Sequence, residues 1–150
     1  MSEDQKIKII YGTMTGNSEE LANDLSEKLS EEGFQTELAD AAEYDVTDLK
    51  NERKVAIVIS TWGEGDPPDD AEQFCFDLYD GKAGELPEME FSVCSLGDSS
   101  YDDFCGCGRK VEECLEKAGA KKIADRVDLD VDFEEGYEEW ATRLIAALKS

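Results

Sequence analysis

Tyr11-Gly12-Thr13-Met14-Thr15-Gly16-Asn17-Ser18 is the stretch around which the chain is arranged. The apolar run 7–11 leads into it, and Leu21, Leu25 and Leu29 follow it at four-residue spacing. That order predicts a strand, a hydroxyl-rich turn and a helix in direct succession. The first N–H groups of such a helix have no intrahelical partner, and the summed peptide dipoles add partial positive charge there, so the turn is an anion site. Thr13, Thr15, Asn17 and Ser18 can add side-chain donors, and Gly16 lets the backbone come close to a ligand. Without a Lys or Arg the stretch does not match a nucleoside-triphosphate loop, and it lacks the three-glycine dinucleotide fingerprint. A single terminal phosphate on neutral donors suits it. An ordinary helix N-cap built from the same residue types stays open beside that reading.

The chain has 150 residues, enough for one domain (1–150) with a substantial core. Its 38 acidic against 15 basic residues, with no histidine, give a net charge of −23. Nucleic acid and anionic membranes would repel such a surface, whereas a basic protein partner complements it. No apolar segment of targeting or membrane-spanning length is present, which reads as a cytoplasmic protein, and a monomer is expected. The five cysteines, Cys75, Cys94, Cys105, Cys107 and Cys114, include no C-x-x-C pair, which argues against a disulfide framework and a thioredoxin-type couple. With no histidine and no second close pair, a closed zinc site is also disfavoured, and no metal is expected. Cys75, Cys94 and Cys114 fall on apolar faces and read as core.

From the first loop outward, a helix is expected over about 16–32, with Gly33 as its C-cap, and a second strand over 35–39. A helical turn near 46–50 precedes the β-branched run 55–59, which reads as a strand buried on both faces. The stretch 60–68 is too rich in Gly and Pro for a regular element. Asp69 and Glu72 then read as the capped start of a helix carrying Phe74, Cys75, Leu78 and Tyr79. A fourth strand is expected over 91–96, a helix over 105–118 ended by Gly119, a short fifth strand over 121–125 and an acidic connection over 126–135. The last helix, 136–149, places Tyr137, Trp140, Leu144 and Leu148 on one face.

Strands and helices thus alternate five times, the pattern of a doubly wound α/β fold, whose ligands lie at the carboxyl ends of the strands. The three unusual loops follow the first, third and fourth strands and would emerge at that one edge. They bring Trp62 and Tyr101 to the same crevice, where two rings can sandwich a flat conjugated ligand, with stacking worth roughly 0.5–1.5 kcal/mol per pair beyond area burial.

T-M-T-G-N-S after the first strand, S-T-W-G-E-G-D-P-P-D-D after the third and L-G-D-S-S-Y-D-D-F-C-G after the fourth resemble the flavodoxins over essentially the whole chain. The second and third blocks are similar to the FMN domain of sulfite reductase-type diflavin reductases. The resemblance implies a three-layer flavodoxin-like α/β fold, a five-stranded parallel sheet in order 2-1-3-4-5 and one non-covalent FMN. It places Thr13, Met14, Thr15, Gly16, Asn17 and Ser18 on the phosphate, Met14 through its backbone N–H alone, with Ser60 and Thr61 beside them. It puts Trp62 on one flavin face and Tyr101 on the other. Gly63 matches the residue whose peptide turns to accept a hydrogen bond from the protonated semiquinone. Leu96, Gly97 and Asp98 match the segment bonding the pyrimidine edge, and Phe104 and Cys105 close the rim.

The implied function is a low-potential, one-electron carrier, not an enzyme, working between basic-patched redox proteins, a reductase donor and an acceptor enzyme. Glu64, Asp66, Asp69, Asp70, Asp98, Asp102 and Asp103 lie in or beside the flavin loops. One such charge about 10 Å away, at an effective dielectric near 20, opposes the negative charge of full reduction by roughly 1–2 kcal/mol. The alternative is the FMN domain of a sulfite reductase-like diflavin reductase. A phosphoryl-accepting receiver of the same fold needs clustered acids at strand ends, where this first strand ends in Tyr11-Gly12, and a quinone reductase needs room for a substrate pocket.

Overall fold

The computed structural model of the chain describes residues 6–12, 17–60, 71–87, 89–96, 106–129 and 134–149. Its elements follow in the order β1 (Lys6–Gly12), α1 (Asn17–Glu31), β2 (Gln35–Asp40), a 3-10 helix (Val46–Asn51), β3 (Lys54–Ser60), α2 (Glu72–Tyr79), β4 (Glu90–Leu96), α3 (Gly106–Lys117), β5 (Lys121–Lys122), β6 (Val127–Leu129) and α4 (Glu134–Lys149). All strand pairs are parallel, and the sheet runs β2-β1-β3-β4-β5, with β6 also on β4. The order 2-1-3-4-5 is therefore as expected, with a sixth strand added.

Alternation along the central strands builds two cores. Ile7, Ile9, Ala56, Val58, Cys94 and Leu96 face α1 and α4, while Ile10, Val55, Ile57, Ile59, Phe91 and Val93 face α2, α3 and the 3-10 helix. Every side chain from Val55 to Ile59 is at most 3% exposed, as a strand covered on both faces requires. Leu21, Leu25 and Leu29 of α1 are buried, and so are Tyr137, Trp140, Leu144 and Leu148 of α4.

Three helices close in the same way. Past α1, the Gly33 N–H bonds the Ser30 carbonyl and the Phe34 N–H bonds that of Leu29, with Gly33 at φ +91°. This paired closure needs a left-handed residue, which glycine supplies without steric cost. Gly81 ends α2 and Gly119 ends α3 by equivalent bonds.

Two expectations are corrected. The start of α2 is not capped by a side chain: its N-cap is Ala71, which makes no side-chain capping bond, and Asp69 lies outside the described residues. Ala71 itself is fully buried, and a Cβ on Gly12 would fall 2.6 Å from its own Cβ. The fifth strand is also shorter than 121–125, and the acidic connection contains β6. β5 runs beside Glu90 and Phe91, and β6 runs beside Cys94, Ser95 and Leu96. Arg126 ties the second of these to α3. Its guanidinium grips both carboxylate oxygens of Asp128, at 2.8 and 3.1 Å, and bonds Glu112 Oε1 of α3 at 2.8 Å. Leu129, at 4% exposure, joins the core facing α1 and α4.

Candidate functional site

The three loops singled out by sequence leave adjacent strands. Gly12, the last residue of β1, stands opposite Ile59 of β3, and Ser60, the last of β3, stands opposite Leu96, the last of β4. Neighbouring strands lie about 4.8 Å apart, so the three departures fit within roughly 10 Å of one edge. The sheet also switches direction here, since β1 has β2 on one side and β3 on the other. The crevice outside such a switch point is where open α/β sheets bind ligands, a rule for which flavodoxin is itself a standard example.

Of the expected site residues, Asn17 and Ser18 open α1, Ser60 ends β3 and Leu96 ends β4. The start of α1 thus lies five residues beyond Gly12, where its first N–H groups can serve a phosphate. Leu96 is 6% exposed and packs in the core, so it offers a ligand only its backbone. Thr13, Met14, Thr15, Gly16, Thr61, Trp62, Gly63, Gly97, Asp98, Tyr101, Phe104 and Cys105 lie outside the described residues.

Supports of this edge that sequence did not reveal are now visible. Gly12 has no room for a side chain because the buried start of α2 presses on it. Gly108 in the first turn of α3 sits so close to β4 that a Cβ there would collide with the Ser95 side chain. Both contacts fix a strand end from which a loop departs. Neither leaves a sequence signal, because each joins residues from different elements.

The electrostatics are acidic. Burial, then the carboxylates of Glu19 and Asp40, hold the Tyr11 phenol above its ordinary pKa, so it is neutral at physiological pH. Glu19 and Glu20 lie in the first turn of α1, where they complement the helix dipole. Among the described residues no group of three or more His, Cys, Asp or Glu could hold a metal ion. No helix among them is long and apolar enough to cross a membrane.

The start of α1 and the ends of β1, β3 and β4 thus meet at one edge of the sheet. The sequence model of the flavodoxin family matches residues 9–140. The chain belongs to the flavodoxin family. The sulfite reductase [NADPH] flavoprotein alpha-component of Bacillus subtilis is 38% identical over 144 residues, which are 96% of this chain but 24% of that protein. The chain therefore spans about a quarter of the length of the curated relatives it matches. Among solved structures, a Streptococcus pneumoniae TIGR4 flavodoxin superposes with a TM-score of 0.84 at 28% identity, covering 96% of this chain and 97% of its own. A cysteine-to-serine mutant of the Pseudomonas aeruginosa flavodoxin gives 0.83 at 29% identity, with 97% and 99% covered. As a flavodoxin, the chain takes FMN as its cofactor, and its work is electron transfer.

Proposed function

We propose that this flavodoxin is a low-potential carrier that passes single electrons between basic redox proteins in the cytoplasm, working as a monomer. The convergence of the β1, β3 and β4 carboxyl ends at the start of α1 carries the reading. FMN, when bound, supplies the one-electron chemistry, and the chain supplies everything that holds and tunes it.

In this reading Thr13, Thr15, Asn17, Ser18 and the backbone N–H groups of Met14 and Gly16 bind the phosphate, with Ser60 and Thr61 beside them. Trp62 and Tyr101 cover the two ring faces and exclude water. The Gly63 carbonyl accepts a hydrogen bond from flavin N5–H and so holds a proton there, a peptide orientation that glycine permits. Leu96, Gly97 and Asp98 bond the pyrimidine edge through the backbone, and Phe104 and Cys105 close the rim. The carboxylates in and beside these loops disfavour added negative charge and lower the potential of the last electron. They also steer a basic partner to the site.

Stepwise anaerobic reduction of the FMN-loaded, desalted protein, followed by visible absorption, tests the site. A yellow protein that turns blue before bleaching is the expected result. Trp62→Ala and Tyr101→Ala should each weaken FMN binding by roughly 3- to 10-fold, the worth of one ring contact. Unchanged flavin affinity and potentials in both variants overturn the assignment.

The 38% identity to sulfite reductase flavoproteins, against 28% to the pneumococcal flavodoxin, favours a second reading. In it the chain is the FMN module of a sulfite reductase-like reductase. Reoxidation of the reduced protein by sulfite, dependent on an added sulfite-reducing partner, is the outcome that reading requires.

A further inference from the structure

Among the described residues two large apolar side chains face water, Leu38 at 42% and Phe76 at 46% exposure. Single exposed apolar residues are ordinary, but Phe76 is held in place by a second ring and flanked by acids. It lies on α2, whose inner side is already filled by Phe74, Cys75 and Leu78. Its ring meets that of Tyr79 edge to face, with centroids 6.1 Å apart and planes at 64°. Tyr79 in turn packs on the inner core, so the outer side of the helix presents the Phe76 ring, backed by a second ring. Glu72 and Asp80, both exposed, stand four residues before and after Phe76, and side chains at that spacing share one ridge. Asp77 is already engaged, by Gln73 Nε2 at 2.8 Å and Lys82 Nζ at 3.0 Å.

We propose that the outer face of α2, centred on Phe76, is the docking surface for a basic protein partner, which lays an Arg or Lys over the Phe76 ring and pairs it with Glu72 or Asp80. This deepens the carrier reading and rests on it.

Charge decides the occupant. An uncharged apolar partner would cover two carboxylates without pairing them, which is costly. A second copy of this chain would set the same acidic ridge against itself across a two-fold axis, with −23 charges on each side. A cation over an aromatic ring gains from the ring and from the flanking carboxylates together.

Position supports it too. Ala71, at the head of α2, touches the end of β1 at the candidate flavin edge. Phe76 follows five residues later, roughly 7–8 Å along the helix axis. A standard interface buries about 800 Å² per partner, a patch of roughly 16 Å radius. A partner centred on Phe76 thus also reaches the mouth of the site.

The test is calorimetric titration of the FMN-loaded full chain with basic mitochondrial cytochrome c, at low and moderate salt. Phe76→Ala should weaken binding by roughly 3- to 10-fold. Glu72→Gln with Asp80→Asn should flatten the salt dependence, and Leu38→Ala should change neither. Wild-type affinity and salt dependence in the Phe76 and double variants overturn the docking surface, and so does a wild-type protein that does not bind the cytochrome. Cytochrome reduction by the photoreduced wild-type protein is recorded in parallel. Binding that depends on Phe76 without any electron transfer overturns the carrier reading and leaves the surface supported.

Discussion

Ser92 is fully buried on β4, and its hydroxyl serves two other segments. It accepts from Trp140 Nε1 of α4 at 2.8 Å and donates to the Ala124 carbonyl at 3.0 Å. Ser92→Ala leaves the buried indole N–H without an acceptor, a loss of about 1–3 kcal/mol. Urea unfolding should show a lower midpoint with an unchanged slope. Glu37 tests a surface interaction in the same way. Lys6 Nζ at 2.7 Å and Lys8 Nζ at 2.8 Å hold its carboxyl down to about 2. A carboxyl whose pKa is depressed by folding stabilises above its unfolded value, 4.5 here, and loses that contribution as pH falls through the folded one. Its side chain is 44% exposed, so solvent screening limits the effect. Glu37→Gln should cost at most about 1 kcal/mol at pH 7, with the gap to wild type closing as pH falls from 4.5 toward 2. A gap independent of pH would show that the two lysines do not act through charge.

Elements with a long repeating pattern were legible in the sequence. The three leucines of α1, the four inward residues of α4 and the apolar run of β3 each repeat often enough to fix both type and burial. β6 was not legible, because three residues with one acid between two apolar positions carry too little periodicity. Its ladder with β4 and the Arg126 to Glu112 bond beside it join segments that no local pattern connects. The start of α2 differed from its cap spacing: Asp69 and Glu72 stand at capping distance, but the N-cap is the buried Ala71, which lies against Gly12 of another element. The sequence singled out the candidate loops by their motifs, but not the contacts that support the strand ends they leave. Gly108→Ala tests one support. Its Cβ would collide with Ser95, immediately before the end of β4, an overpacking of typically 1–3 kcal/mol. A lower melting temperature and weaker FMN retention are expected, with partial recovery of both when Ser95→Gly is added.

For the molecule as a whole, the −23 charge is a standing repulsion. Several lysines are already paired, among them Lys28 with Asp24 and Glu138, and Lys149 with Glu32. Most of the carboxylate excess remains, and salt should therefore stabilise the fold. The Debye length falls from about 30 Å at 0.01 M to about 10 Å at 0.1 M ionic strength. Each kcal/mol of repulsion removed raises the melting temperature by about 2–4 °C in a domain of this size. Scanning calorimetry from 10 mM to 0.5 M NaCl should show a monotonic rise, steepest at the low end. A flat or falling profile would mean that the surface charges are already balanced locally.

The divided edge strand has a consequence for how such a chain can be lengthened. Between β5 and β6 the ladder along β4 is already open over residues 124–126. New residues placed between Ala124 and Asp125 would sever no strand pairing. They would add loop-closure entropy, about 0.6 kcal/mol for each doubling of the loop, and would part Asp125 from Lys122, with which it pairs at 4.0 Å. That gap is thus a ready graft point, where an added segment could change what this edge of the molecule meets while the sheet and the loops at its carboxyl edge stay as they are.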